Sequence, residues 1–204
     1  MTEKETQEDI EKNCKTLTNF CEMLVKGTDE FLRAVKDVQD KNGNDEKFYH
    51  LITSIVFIKY SIRDIFLLYK IFYASKDLSE KNVLARTMAT HVAGFIKDMD
   101  KIQGLPLAQL IKPLKDEELT QLLTNIRNIH KLIKLKYEEM KTIRNAASAH
   151  KDRDIIKQIQ VMNSIDYDEW MPVIAQFQLF TLALVLFDQA ITNKRREKSE
   201  GKGK

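Results

Sequence analysis

Glycine, proline and cysteine are all scarce in this chain. Six Gly and three Pro among 204 residues leave few helix breakers. Because Leu, Ile, Lys, Glu and Gln are abundant, helix is favoured nearly everywhere. The two cysteines, Cys14 and Cys21, lie seven residues apart on one helical stripe, which is too far apart for a disulfide. Their number and spacing suit buried thiols in a reducing compartment rather than a zinc site.

The chain also lacks several motifs that carry cofactor or nucleophile chemistry. It has no Gly-rich phosphate loop, no Gly-x-Ser-x-Gly elbow and no zinc-ligand spacing. The formal net charge is only +3, which is too weak by itself to indicate nucleic-acid binding. We therefore expect no cofactor and no metal.

One segment near each end of the chain bears on whether the protein is exported or crosses a membrane. The first residues, Met1 to Glu11, are charged and lack the apolar core of a signal peptide. Trp170 to Phe187 contains no charged residue, and a stretch of that length is a candidate membrane span. Because Pro172, Gln176 and Gln178 interrupt it and Asp188 ends it, we interpret it as a core or dimer-interface helix. The sequence thus predicts a cytoplasmic protein with no membrane segment.

Apolar periodicity predicts an all-α, up-and-down bundle of five or six helices. One domain over residues 1–192 is followed by a charged, disordered tail at 193–204. The predicted helices are Thr6–Asp40, Asp45–Ala74, Ser79–Gln103, one capped by Asp116 that carries residues 144–152 at its C-terminal end, a short one at Asp154–Met162, and Glu169–Thr192. The second is apolar nearly all round, which predicts a place at the centre of the bundle.

Two groups of basic residues have alternative interpretations. Lys59, Arg63 and Lys70 fall on one stripe of the second helix. They form either a thin solvated stripe, which we favour, or a basic wall of a phosphate groove. Arg127 and His130 belong to a second Arg-Asn sequence whose histidine follows three positions after the arginine. We interpret that sequence as solvated helix surface.

The sequence concentrates its chemistry in residues 144–152, Arg-Asn-Ala-Ala-Ser-Ala-His-Lys-Asp. Arg144 is permanently charged and can bind phosphate oxygens in two-point contacts. His150 titrates near neutral pH and can act as general base or acid. Asn145 and Ser148 can hydrogen-bond phosphate, sugar or imidazole, and Asp152 can orient the histidine. These are the groups that cleavage of RNA by its own 2′-hydroxyl requires, with no metal.

This segment resembles the Arg-x4-6-His signature of the HEPN superfamily, in the variant Arg-Asn-x3-Ala-His-x-Asp. The resemblance implies a helical, metal-independent endoribonuclease with RNA as its partner. It further implies a toxin or phage-defence effector, with a protein antitoxin or regulator as a further partner. The alternative is a non-catalytic helical protein-interaction or regulatory module that retains the signature. In that case Arg144 pairs with Glu138 or Asp152, and His150 caps its helix.

Helical geometry limits how the site can assemble. On an unbroken helix Arg144 and His150 point about 120° apart, whereas Tyr137, Lys141, Arg144 and Ser148 share one face. Either the helix breaks around Ala149, or the pair is completed across a two-fold axis. The apolar stripe of the first helix and the uncharged Trp170 to Phe187 run both predict a homodimer.

Overall fold

A computed structural model describes residues 3–42, 46–102, 108, 111–112, 115–148, 156, 160–161, 164–165, 168 and 170–200. In these ranges the chain is helical and contains no strand. The six helices are α1 (Glu3–Asn42), α2 (Glu46–Ala74), α3 (Leu78–Ile102), α4 (Glu117–Lys134), α5 (Tyr137–Ser148) and α6 (Trp170–Glu200). The predicted all-α bundle of five or six helices is confirmed. The predicted short helix at Asp154–Met162 falls largely outside the described residues.

Local capping fixes where α3 and α4 begin. The Asp77 carboxylate accepts hydrogen bonds from the backbone N–H groups of Ser79 and Glu80, at 2.7 and 3.3 Å. Asp116 does the same at the start of α4, where it accepts from Leu119 N–H at 3.0 Å. Both bonds satisfy amides that the helix itself leaves without an acceptor. The predicted cap at Asp116 is therefore confirmed.

Neighbouring helices pack so that α2 lies against α1, α3 and α6, α4 lies against α6, and α5 lies against α3. The apolar contacts merge into one core. Near its middle, the Phe95 ring of α3 meets the rings of Phe177 and Phe180 of α6 edge-on, with centroids 4.8 and 5.3 Å apart. Such edge-to-face geometry is the favoured arrangement of aromatic rings. The core thus joins helices from both halves of the sequence.

The position of α2 corrects the expectation that it occupies the centre of the bundle. Three helices pack on it, but Phe57, Leu67 and Ile71 on its remaining side are exposed.

The two cysteines of α1 differ from each other, since Cys21 is buried and Cys14 is half-buried. Burial raises the pKa of the Cys21 thiol, which keeps it protonated and unreactive.

The expectation of one helix from the Asp116 cap to the 144–152 segment is wrong, because the chain divides there into α4 and α5. The backbone N–H of Leu135 bonds the Leu132 carbonyl at 3.2 Å, and that of Lys136 bonds the Ile133 carbonyl at 3.1 Å. These i to i−3 bonds make a tight turn between the helices. The sequence has no Gly or Pro there, so the turn follows from packing: α4 is directed onto α6 and α5 onto α3.

The final helix is longer than predicted. It continues past the expected end at Thr192 to Glu200, into the segment assigned to a disordered tail. Lys194 pairs with Asp116, the α4 cap, at 3.3 Å, which helps to explain the extension.

By length and composition Trp170–Ile191 could cross a membrane, but half of this stretch is buried inside the protein. A core helix passes the same test, so it is weak evidence for a membrane span.

Candidate functional site

Helix α5 carries the part of the signature that the structure describes. Met140 and Ile143 are buried, and they anchor the helix against α3. Arg144 follows directly on the edge of this buried face and is partly exposed, while Asn145 is exposed. The packing of α5 therefore holds Arg144 at the protein surface, where a ligand can reach it.

Arg144 has a defined side-chain partner next to it in the sequence. Its Nε and Nη2 atoms donate to the Asn145 Oδ1 atom, at 3.3 and 3.1 Å. Both contacts converge on this one oxygen atom and use two of the five N–H donors of the guanidinium. The amide oxygen is neutral, so the positive charge of Arg144 is not cancelled by this contact. Glu138, one of the two suggested partners of Arg144, forms an ion pair with Lys141 at 3.1 Å.

Tyr137 and Lys141 lie on α5 as the heptad-like spacing predicts. Tyr137 packs against the core with part of its ring accessible. The Lys141 ammonium lies 5.6 Å from the centre of that ring, within the range of a cation–π contact. Lys141 also pairs with Glu138, so its charge is balanced on the helix itself.

His150 and Asp152 lie outside the described residues, and of Ser148 the backbone is described as the last residue of α5 but the side chain is not. Whether the helix breaks near Ala149 also falls on the undescribed part. The juxtaposition of Arg144 with His150 thus stays a prediction.

His130 corrects the interpretation of the second Arg-Asn sequence as solvated surface. Its side chain is 2 % exposed and lies edge-on to Phe95, with ring centroids 6.3 Å apart. Burial lowers the pKa of His130, although nearby Asp100 opposes the shift. Within the described part of the chain, its Nε2 atom has no hydrogen-bond partner. A neutral, buried imidazole of this kind is a core residue.

Lys59 also contradicts its sequence-based interpretation, since it is neither solvated nor part of a phosphate-binding wall. It is 1 % exposed and forms an ion pair with Asp188, which is 6 % exposed. The pair joins α2 to α6 in the core. Burial raises the pKa of Asp188 to about 6, against the opposing effect of the Lys59 charge and hydrogen bond.

The other two basic residues of that stripe are engaged at the surface. The Arg63 guanidinium lies 4.7 Å from the centre of the Tyr60 ring and pairs with Asp64 at 2.8 Å. The Lys70 ammonium donates to the Thr18 hydroxyl at 2.9 Å. Because Arg63 and Lys70 are each bound to neighbouring side chains, the stripe does not form a basic wall for a phosphate groove.

The spacing of apolar residues around Lys59 and around Asp188 is a sequence signal for this buried pair. Lys59 lies among Ile55, Ile62 and Phe66 at spacings of four, three and four, and all three neighbours are buried. Asp188 follows Phe177, Thr181 and Leu184 at the same spacings, and these are buried too. Opposite charges at core positions of two apolar helices predict a mutual ion pair.

Among the described residues, no group of three or more His, Cys, Asp or Glu side chains is placed so that it could hold a metal ion. Comparison of the chain with protein-family models, with curated proteins and with solved structures finds no match in any of the three.

Proposed function

We propose that this chain is a metal-independent endoribonuclease of the HEPN type, with Arg144 and His150 as its catalytic residues. The observation that carries the proposal is Arg144, held partly exposed on α5 with its guanidinium oriented by Asn145. It belongs to a segment whose sequence fills every fixed position of the Arg-Asn-x3-Ala-His-x-Asp pattern.

The proposed reaction uses the 2′-hydroxyl of the RNA as nucleophile. A base removes the 2′-proton, the 2′-oxygen attacks phosphorus, and an acid protonates the departing 5′-oxygen. The products are a 2′,3′-cyclic phosphate and a 5′-hydroxyl end. Arg144 stabilises the negative charge that grows on the phosphate oxygens, because its planar fork can contact two of them at once. His150 transfers the proton, and Asn145 positions Arg144.

Arg144 and His150 point in different directions on one helix, and a homodimer would let the histidine of one copy complete the site with the arginine of the other. Two copies related by a two-fold axis would place two arginines and two histidines on one phosphate track, so that one histidine acts as base and the other as acid. The proposal extends to a cytoplasmic toxin or phage-defence effector with a protein antitoxin or regulator. A second candidate is a non-catalytic helical interaction module, which the exposed leucines of α6, Leu179, Leu182 and Leu186, favour.

The test is to incubate the purified protein with total RNA in the presence of a chelator and to identify the new ends. We expect cleavage that survives EDTA and leaves 2′,3′-cyclic phosphates. Strict dependence on added magnesium would assign the activity to another site.

A matched pair of arginine variants locates the site. Arg144→Lys should reduce the cleavage rate at least tenfold, because a point charge cannot reproduce the two-point contact. Arg127→Lys makes the same change on α4, outside the signature, and should leave the rate unchanged. Equal rates for both variants would favour the interaction module, provided that both keep the wild-type melting temperature.

A further inference from the structure

Helix α5 runs antiparallel to α3. Lys134, the last residue of α4, pairs with Asp100 near the end of α3, with 2.7 Å between Nζ and Oδ2. Helix α5 begins at Tyr137, three residues further on, and packs along α3. Because α3 ends at Ile102, α5 can lie along it only by running back toward the start of α3.

Small buried side chains of α3 lie beneath this contact. Ala89 and Ala93 are fully buried, and at about 100° per residue both lie within about 20° of the direction of Asp100. Asp100 marks the side of α3 at which α4 ends and α5 begins, so α5 is the helix that covers the two alanines. Such small side chains let two helices approach closely. We call the solvent-facing edge of this contact the α3–α5 groove.

Three basic residues line the α3–α5 groove, and two of them belong to α3. Lys97 follows buried Ala93 by four residues, which turns it about 40° away from the contact. Arg144 follows buried Met140 by four residues and is turned by the same angle in the same sense. In antiparallel helices, equal turns away from the contact lead to the same side of the groove. Arg86, seven residues before Ala93, is turned about 20° in this sense too. Lys97 is exposed and both arginines are half-buried, as expected at the edge of a contact.

The three cations are spread along the groove rather than gathered at one point. At about 1.5 Å per residue along α3, Lys97 lies about 5 Å from Asp100 and Arg86 about 21 Å. Arg144 lies about 10 Å from the start of α5, which begins beside Asp100, so it falls between the other two. A row of this kind matches successive phosphates of one nucleic-acid strand better than a single small anion.

Acidic residues beside the groove do not cancel this charge. Asp98 pairs with Lys101 at 3.1 Å, and Glu138 pairs with Lys141 at 3.1 Å. Each of these carboxylates is therefore matched by a lysine of its own helix. As far as the described residues go, Lys97, Arg86 and Arg144 add to neutral pairs, so the groove carries a net positive charge.

An aromatic side chain lies on the same edge of α5. Tyr137 precedes Arg144 by seven residues, or about two helical turns, and part of its ring is accessible. Lys141 lies between them, with its ammonium 5.6 Å from the centre of the ring. Cations along a strand, together with a ring on which a base can stack, are typical of single-stranded nucleic-acid sites.

We propose that the α3–α5 groove binds a single strand of RNA, in which Lys97 and Arg86 hold phosphates on either side of the one held by Arg144. Both residues belong to α3 and lie outside the signature. This inference rests on the proposed function, because it extends the substrate contact of Arg144 along the strand. Lys97 and Arg86 bind the strand and take no part in the proton transfer.

The test measures binding separately from cleavage. The probe is a fluorescein-labelled 2′-O-methyl RNA, which lacks the free 2′-hydroxyl that the proposed reaction needs, and binding is followed by fluorescence anisotropy. Arg86→Gln/Lys97→Gln should raise the dissociation constant at least tenfold at low salt. The slope of log K against log salt concentration should become shallower by about 1.4, since each phosphate contact to a single strand contributes about 0.7. Lys12→Gln/Lys15→Gln removes the same charge from exposed positions of α1, which packs on α2 and α6, and should bind as the wild type does.

A single variant guards against misfolding. Arg86 donates to the Asn82 carbonyl at 3.2 Å, so its loss can disturb α3, whereas exposed Lys97→Gln should keep the wild-type melting temperature. Lys97→Gln should still make the salt slope shallower by about 0.7. Equal binding by the α3 and α1 double variants would overturn the proposal, as would a wild type that does not bind the probe. Polyglutamate that binds as tightly, with the same loss in the α3 variant, would assign the groove to an acidic protein instead.

The outcome is separable from that of the proposed cleavage. Probe binding that depends on Lys97 and Arg86, in a protein that cleaves no RNA, would keep the groove and refute the catalytic proposal. Cleavage and probe binding that are both unchanged in the α3 double variant would keep the catalytic site and refute the groove. In an active protein this variant should raise KM and leave kcat near the wild-type value, because it removes contacts made equally to the bound substrate and to the transition state.

Discussion

Replacing Lys59 by methionine should destabilise this protein far more than removing an ion pair from its surface. Lys59 and Asp188 are both buried and face each other across α2 and α6. Lys59→Met leaves a carboxyl group in the core without its cation, and Asp188→Val leaves an ammonium group without its anion. Removal of one partner of a buried pair costs about 3–5 kcal/mol, so we expect a loss of that order from each variant.

The double variant Lys59→Met/Asp188→Val should recover most of this loss. It removes both charges and the cost of holding them away from water, and such replacements are often neutral or stabilising. Two single losses of at least about 3 kcal/mol add up to about 6 kcal/mol. We expect the double variant to fall short of that sum by at least about 3 kcal/mol, which is the coupling between the two residues.

Urea unfolding followed by far-UV circular dichroism gives the free energies for this cycle. The matched control is Asp100→Asn, which removes the Asp100–Lys134 pair on the surface. Its two side chains are 44 and 49 % exposed, so the change should cost at most about 1 kcal/mol. Single variants at Lys59 and Asp188 that cost no more than this control would refute the reasoning, as would single losses that simply add in the double variant.

Three further outcomes follow from individual side chains. Asp188 has a pKa of about 6 when folded against an ordinary value near 4, so the folded state holds this proton more tightly and the group stabilises the fold as pH falls through that window. Relative to Asp188→Asn, the free energy of unfolding of the wild type should rise by about 1 kcal/mol between pH 7 and pH 5 in urea titrations. No rise would contradict the burial of Asp188. His130→Ala should lower the free energy of unfolding by about 2 kcal/mol or more because it empties a core position, whereas exposed Asn128→Ala should change it by less than about 0.5 kcal/mol. Similar values for the two variants would contradict the burial of His130. Asp116→Ala should cost about 1 kcal/mol through loss of the α4 cap, and an unchanged melting temperature would show that the cap adds nothing.

The fold was largely predictable because its determinants are local. The caps of α3 and α4 and the scarcity of Gly and Pro fix most helix limits within a few residues. The turn between α4 and α5 was not predictable in this way. No residue in Lys134–Leu135–Lys136 breaks a helix, and only the packing of the flanking helices on different neighbours accounts for it.

Burial of polar side chains was the weakest part of the sequence interpretation. The pattern on a single helix places Lys59 and His130 on solvated surfaces, because such residues are usually exposed, yet both are in the core. Each becomes buried through a partner distant in sequence: Asp188 for the lysine, and Phe95 for the histidine. A pattern on one helix cannot reveal a partner on another, although two opposite charges at core spacings could have been matched.

The candidate site was predictable in composition and only partly in arrangement. Sequence placed Tyr137, Lys141 and Arg144 on one helix, and α5 confirms this. It did not predict the contact between Arg144 and Asn145, which depends on side-chain rotamers. The relation of Arg144 to His150 stays a prediction, since His150 lies outside the described residues.

The rate of RNA cleavage by His150→Ala, measured with a chelator present, tests the proposed function most directly. A histidine that transfers protons in the reaction predicts a loss of roughly 10²–10⁴ in rate with the melting temperature unchanged. His91→Ala, which alters a half-buried histidine of α3 outside the signature, should cleave at the wild-type rate. Equal rates for His150→Ala and wild type, on an RNA that the wild type cleaves, would contradict a catalytic role for the signature.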